Sequence, residues 1–528
     1  VVIALSLLLS LVLGLDFRID PLVLTRQGLV RGQRATDGDY TTFLGIPYAI
    51  VDKDNPFGAA KPHTAFEELV FRANEGSTKC PQSNIAPLGR ATDTESLNCL
   101  KLNIYVPNEA TSYNPLPVLV WIHGGVFGFG SAGENDATKL VKQGIVVVTI
   151  NYRLGPYGFM CLDVPAVPGN QGLKDQHTAL RWIRNNIASF GGNPYNVTLA
   201  GHSAGAGSVL LHLYSSKEKL FHKVIVESGT PQSEGMFING DEEAAIKLAR
   251  YLDFNTTDTE QALAFLASVP HGSVTSAMKA LGSSLQLRPC KERSFSGVEI
   301  FVEDDPYSLS NERKIRNTPI LIGHTTKEEL NSAIYRPNYF NSDVFYEKLA
   351  KNYNLNQETL AKVSNTVKHY YIGDKDISVD VTSELEDFES DFIINHPTQR
   401  VITKLLNENA NPVYQYLFSY VGASGAEGAA HAAELKYLFG TSNLSEEEQF
   451  ISDSMVAMWA NFVKQGNPTP NDASLIQWPP ITSESRPYLV IDTDMRIENR
   501  VFKERMAFWD LFHDNYGSSN VLARECRI

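Results

Sequence analysis

The chain has 528 residues, 43% of them hydrophobic, with 60 acidic against 46 basic side chains and a net charge of −14. That is enough apolar sequence for a large core, and a length that allows several domains without requiring them. The acidic balance, with no Lys/Arg cluster, argues against polyanionic partners such as nucleic acid.

Residues 1–14, VVIALSLLLSLVLG, form an apolar run too short to span a bilayer, followed by Asp16. Val12 and Gly14 fit the small-residue positions before a cleavage site, so 1–14 reads as a secretory signal and 15–528 as one mature domain. No later run is long enough to span a membrane. Leu22 to Arg31 and Thr41 to Phe43 read as strands, and residues 53–62 as a loop. Asn103 to Val106 and Val118 to Ile122 are predicted strands, the second apolar throughout, as a central parallel strand covered on both faces would be. It runs into His123-Gly124-Gly125-Val126-Phe127. Consecutive glycines after a buried strand let backbone N–H groups turn toward a ligand, so Gly124 and Gly125 are candidates for an oxyanion hole.

Ile145 to Ile150 is another strand, followed by a helix from about Lys174 to Ser189 with Leu180, Ile183 and Ile187 at helical spacing. Val197 to Ala200 then leads into Gly201-His202-Ser203-Ala204-Gly205 and an apolar helix. A G-x-S-x-G pentapeptide alone is weak, since it arises by chance in roughly one chain in five of this length. At a strand-to-helix corner it has a mechanism: the turn holds Ser203 exposed where a base can reach it. Strand, helix, strand alternation makes a mostly parallel sheet with right-handed crossovers the economical topology. Val224 to Val226, Ile320 to Ile322 and Val413 to Phe418 extend it. Residues 235–315 read as a helical excursion walling a substrate gorge. Two amphipathic helices, around Met455, Met458, Trp459 and Phe462 and around Phe502, Met506, Trp509 and Phe512, read as core packing.

On such a sheet the nucleophile is followed in sequence by an acid and then a histidine. Among the late histidines, His369 and His513 lie in helical stretches and His396 precedes Pro397, whereas His431 lies in the small-residue loop GASGAEGAAH after a strand. His431 is therefore the candidate base. The acid is expected beyond strand 320–322, at Glu328 or Glu329, with Glu227 as an earlier competitor. Its role is to accept the imidazole Nδ1–H and stabilise the imidazolium. Cysteines number five; Cys80 and Cys99 enclose a polar loop and are expected to pair, while Cys161, Cys290 and Cys526 are scattered without metal-like spacing. Neither a metal nor a cofactor is expected. Asn196, Asn255 and Asn443 are sequons, Asn255 the most open by composition and Asn196 hard against a core strand.

FLGIPYA, Cys80-Pro81-Gln82, LNIYVP, VWIHGGVF, NYRLGPYGF, GNQGLKDQ, NIASFGGNP, GHSAGAGSV, VESG and GAAHAAEL resemble, in order and spacing over nearly the whole chain, the type-B carboxylesterase and cholinesterase family of α/β-hydrolases. The resemblance is greatest to secreted insect carboxylesterases. It implies an α/β-hydrolase fold whose helical excursions form a gorge, with Ser203 as nucleophile, Glu328 as acid and His431 as base. It also implies an oxyanion hole from the N–H groups of Gly124, Gly125 and Ala204, and a first disulfide between Cys80 and Cys99. Leu97 and Asn98 stand where the family usually has an acidic pair, Glu329 where it has glycine, and Val126 where it has a smaller residue. The second family disulfide has no cysteines in 252–266. No aromatic lies between Pro81 and Asn98, which argues against choline esters.

The resulting expectation is a secreted serine carboxylesterase of small-molecule esters. A non-catalytic adhesion or binding protein on the same fold is the alternative class, and a lipase a third. Juvenile hormone esters and pheromone or odorant esters are candidate specific substrates. The sequence does not distinguish monomer from homodimer.

Overall fold

The computed structural model describes residues 21–523 except 37, 77, 83–93, 334, 335, 337, 441, 442 and 471–474. The expected leader at 1–14 and Cys526 lie outside the described residues.

An eleven-stranded sheet organises the chain. In sequence its strands are β1 (Gln33–Arg34), β2 (Tyr40–Pro47), β3 (Lys101–Pro107), β4 (Leu116–Ile122), β5 (Val146–Ile150), β6 (Gly192–His202), β7 (Lys223–Glu227), β8 (Ile320–Thr325), β9 (Val413–Phe418), β10 (Pro487–Ile491) and β11 (Arg496–Asn499). In space they run β11-β10-β9-β8-β7-β6-β4-β5-β3-β2-β1. From β10 across to β5 all neighbours are parallel, and the strands at both edges join antiparallel. This is the α/β-hydrolase architecture, a large and mostly parallel sheet flanked by helices.

Strand β4 accounts for the two-sided core. Val118, Val120 and Ile122 pack into one hydrophobic cluster while Leu119 and Trp121 pack into another, because successive side chains of a strand point to opposite faces. Helices α1 (Gln171–Asn186) and α2 (Ala204–Tyr214) supply Leu180, Ile183, Val209 and Leu210 to the first face. Beyond α3 (His396–Asn407), helix α4 (Glu446–Gln465) covers the other face with Met455, Met458, Trp459 and Phe462. It starts on a capping box in which Ser445 and Glu448 satisfy each other's backbone N–H groups, and it ends at Gly466 with φ 73°. Helix α5 (Lys503–Tyr516) buries Met506, Trp509 and Phe512 in a third cluster.

Two disulfides are present. Cys80–Cys99 closes the loop that the sequence reading pairs. Cys161–Cys290 joins cysteines 129 residues apart, a pairing that sequence spacing gives no means of reading. Asn255 and Asn443 are exposed. Asn196 is engaged at both ends of its amide, donating to Lys464 O at 3.1 Å and accepting from Lys223 Nζ.

Candidate active site

The parallel strands end at one edge, and the candidate residues stand on the loops that leave it. Ser203 follows β6 and caps α2 at φ 56°, ψ −122°, a conformation that non-glycine residues rarely adopt outside functional turns. Its N–H donates to Glu227 O at 2.8 Å and its C=O accepts from Gly207 N–H at 3.0 Å. The corner closes only because its flanking residues lack a Cβ: one on Gly201 would stand 2.5 Å from Gly205 C, and one on Gly205 would stand 2.1 Å from Ile122 O. Helix, β6 and β4 therefore meet in backbone contact, and Ser203 is left only 5% exposed.

The loop after β4 crosses in front of this serine. A Cβ on Gly124 would come within 3.0 Å of Ser203 Cβ. Val126 and Phe127 both have positive φ, 46° and 58°, which turns the chain sharply beside Ser203. Behind the loop, His123 stacks on Tyr152 with centroids 4.4 Å apart, and the Tyr152 hydroxyl donates to His123 O at 2.8 Å. The amides of Gly124, Gly125 and Ala204 have no acceptor among the described residues, and so remain free to meet a ligand oxygen.

His431 reaches the site from the loop after β9, its Nδ1 2.5 Å from Glu328 Oε2. The other carboxylate oxygen of Glu328 is occupied: Thr325 N–H donates to Oε1 at 2.7 Å and the Ser228 hydroxyl at 2.6 Å. One oxygen anchors the acid and one faces the imidazole. Burial alone would raise the Glu328 carboxyl, but His431 foremost, with His324 and Ser228, brings it down to about 2. For His431 burial pulls downward too, and the Glu328 carboxylate outweighs it, holding the imidazole above its usual value of 6.5 with added support from Glu434 and Glu329.

The neighbouring carboxylates have different surroundings. Glu329 faces Arg336, with Nη2 3.4 Å from its Oε2, and its amide donates to Ser390 Oγ at 3.0 Å. Glu227 is fully buried, accepts from the Trp459 indole N–H at 2.7 Å, and is pushed well above the usual carboxylate range by burial and then by Glu434. Of the three acids weighed from the sequence, the structure brings Glu328 to His431. Ser228 and Glu434 bear on the same carboxylate and were not singled out by sequence reasoning. Ser228 lies in the VESG motif at φ 51°, a turn that aims its hydroxyl at the acid.

Ser203, His431, Gly124 and Gly125 line one cavity of about 1060 Å³, together with His202, Val126, Trp121, Phe129 and Phe439. The His202 ring lies 4.5 Å from that of His431. Burial first, then His431, holds it well below its ordinary value, so it is a neutral wall residue. The walls come from residues 44–136 and 431–440. Residues 235–315, expected to wall the gorge, contribute nothing to this cavity and instead line a separate one. Among the described residues no group of three or more His, Cys, Asp or Glu could hold a metal ion. No helix among them is long and apolar enough to cross a membrane.

Comparison with known proteins agrees with this fold. Juvenile hormone esterase of Heliothis virescens is 30% identical over 94% of this chain and 94% of its own length. Venom carboxylesterase-6 of Apis mellifera is 28% identical over 95% and 96%. The structure of juvenile hormone esterase from Manduca sexta, with OTFP covalently attached, superposes with a TM-score of 0.81 at 26% identity, covering 94% of this chain and 100% of that one. The family model described as the carboxylesterase family matches residues 19–509, and with a parallel sheet, a serine corner and a fitted cavity behind that match, the chain belongs to the carboxylesterase family.

Proposed function

We propose that this protein hydrolyses carboxylic esters through an acyl-enzyme on Ser203, and that it does so outside the cell. The observation that carries the reading is the 2.5 Å approach of His431, which lines the same cavity as Ser203, to a doubly anchored Glu328 behind it. His431 takes the Ser203 proton through Nε2 as Oγ attacks the ester carbonyl, and Glu328 stabilises the imidazolium that forms. The amides of Gly124, Gly125 and Ala204 donate to the tetrahedral oxyanion. The alcohol leaves with the proton from His431. Water, deprotonated by the same imidazole, then releases the acid and restores Ser203.

Trp121, Phe129 and Phe439 in the cavity wall favour an ester with a neutral, apolar portion. The covalent adduct on the related Manduca sexta protein fits a nucleophile of this kind. Two disulfides and the apolar leader support an oxidising, extracellular setting.

Incubation of the intact protein with an organophosphate should add one adduct mass to the Ser203 peptide and abolish turnover of a small aryl ester. Ser203→Ala should show neither adduct nor turnover. Retained turnover in that variant overturns the assignment. A hydrolysis panel of short acetates, longer acyl esters, juvenile-hormone-like methyl esters and choline esters then ranks substrates, the neutral apolar esters being expected first.

A further inference from the structure

A second cavity, of about 500 Å³, lies between residues 283–288, α3, α5 and the helix end at 351–353, and shares no lining residue with the cavity over Ser203. Its size falls within the range of small-molecule sites. Phe237, Leu285, Leu287, Phe392, Trp509 and Leu522 give it an apolar wall. Two arginines, Arg288 and Arg400, line it as well.

Among the described residues no carboxylate lies within ion-pair distance of either guanidinium. Arg288 donates from Nε to Gly235 O at 3.0 Å and from Nη1 to Leu287 O at 2.8 Å, two neutral carbonyls. The Arg400 side chain makes no hydrogen bond or ion pair with any described residue. The nearby carboxylates have closer contacts with other described residues. Glu234 pairs with Lys348 at 2.8 Å and Lys351 at 2.9 Å. Asp510, whose charge bears on Arg400, is 3.1 Å from His396 Nε2. His513 is brought down to about 4 by burial first, then by Arg400 and His396, and so faces the cavity as a neutral imidazole. What remains is a pair of guanidiniums that no carboxylate of the described residues contacts directly, Asp510 acting on Arg400 only at longer range, beside an aromatic and leucine-lined wall.

We propose that this cavity is a second binding site, separate from the catalytic one, for an amphipathic monocarboxylate. The carboxylate meets the Arg400 guanidinium, with Arg288 as a second cation of the same wall, and the hydrocarbon tail packs against Leu285, Leu287 and Trp509. A guanidinium suits this ligand because its planar fork matches a carboxylate and it is more weakly hydrated than an ammonium. The tail supplies the apolar burial that neither arginine can give. The ligand is bound without reaction. The proposal does not rest on the acyl-enzyme reading.

Calorimetric titration of the full-length protein with dodecanoate, below its micelle-forming concentration, tests it against dodecanol of the same chain length. Saturable binding of dodecanoate at least tenfold tighter than dodecanol is expected. Arg400→Gln should weaken dodecanoate at least tenfold and leave dodecanol unchanged. Should that variant not fold, Arg288→Gln carries the same expectation in the same direction. Equal affinity for acid and alcohol overturns the proposal, as does dodecanoate binding indifferent to the arginine substituted, which would put the ligand elsewhere. An equal loss for both ligands also overturns it, since only the tail site would then have been damaged.

Discussion

Glu328 and Glu329 are neighbours in sequence and opposites in environment. Glu328 has both oxygens satisfied by donors that hold it ionised, whereas Glu329 is raised above its usual value by burial and then by Glu389. Under the proposed mechanism Glu328→Gln should therefore lower kcat by about 10⁴-fold, the scale seen when a triad acid is lost, while Glu329→Gln should retain most activity. Steady-state kinetics on the two purified variants decides, and the reverse pattern would reassign the acid. The same electrostatics sets the pH profile. Under the proposed mechanism catalysis needs neutral His431, and Glu328 holds the imidazole above 6.5, so the acid limb of kcat/KM should have its midpoint above pH 6.5; a midpoint below 6 would show that the carboxylate does not govern the base. The choice between the two glutamates was not legible in the spacing, because it depends on how the turn after β8 aims each side chain. His431 was legible, since a small-residue loop after a late strand leaves a side chain free to reach over the sheet edge. Ser228 was not: a serine after a strand carries no signal until its acceptor is known.

At the scale of elements, the strand-to-helix corner could be read from the pentapeptide because it is made locally, by two glycines that admit β4 and α2 into backbone contact. The parallel sheet followed from strand and helix alternation for the same reason. Residues 235–315 were harder: helix formers and polar loops announce an excursion but not which cavity it walls. Cys161–Cys290 shows the same limit over 129 residues of separation. That bridge fixes a junction in which Asn170 donates to Cys290 O at 2.7 Å and to Glu292 Oε1 at 2.7 Å, while Lys174 Nζ contacts Glu292 Oε2 at 2.7 Å. It thereby ties the start of α1 to the far end of the excursion. Replacing both cysteines by serine should destabilise the protein by about 2–5 kcal/mol, seen as a lower urea midpoint. A midpoint unchanged from the parent would mean that the polar junction holds without the covalent link.

Over the whole molecule, buried ionisable groups set how far the fold tolerates acid. His177 and His513 are each brought down to about 4, chiefly by burial. The unfolded chain, with histidines near 6.5, then binds more protons than the folded one between about pH 6.5 and 4, so stability falls across that window as pH drops. Below 4.5 two carboxylates add to the loss. Glu328 and Glu234 are held at about 2 despite burial, by His431 and by Lys348 with Lys351 respectively, and their contribution disappears as pH falls from 4.5 toward 2. Asp391 acts the other way. Burial raises it to about 6 from its usual 3.8, so its contribution is complete below 3.8 and is lost as pH rises through 6. Glu227, Glu434 and Glu329 are raised as well and act with Asp391, but among the described residues nine histidines held below their usual value outnumber the seven raised carboxylates and leave a net decline from neutrality, which steepens once Glu328 and Glu234 begin to protonate. Thermal unfolding followed at intervals from pH 7 to pH 3 should give a Tm that falls from pH 6.5 and falls faster below 4.5. His513→Asn, which cannot take up the proton, should flatten the upper part of that decline and leave the lower part in place. A Tm constant from pH 6.5 to 4 would mean that the two buried histidines are not protonated on unfolding in that range.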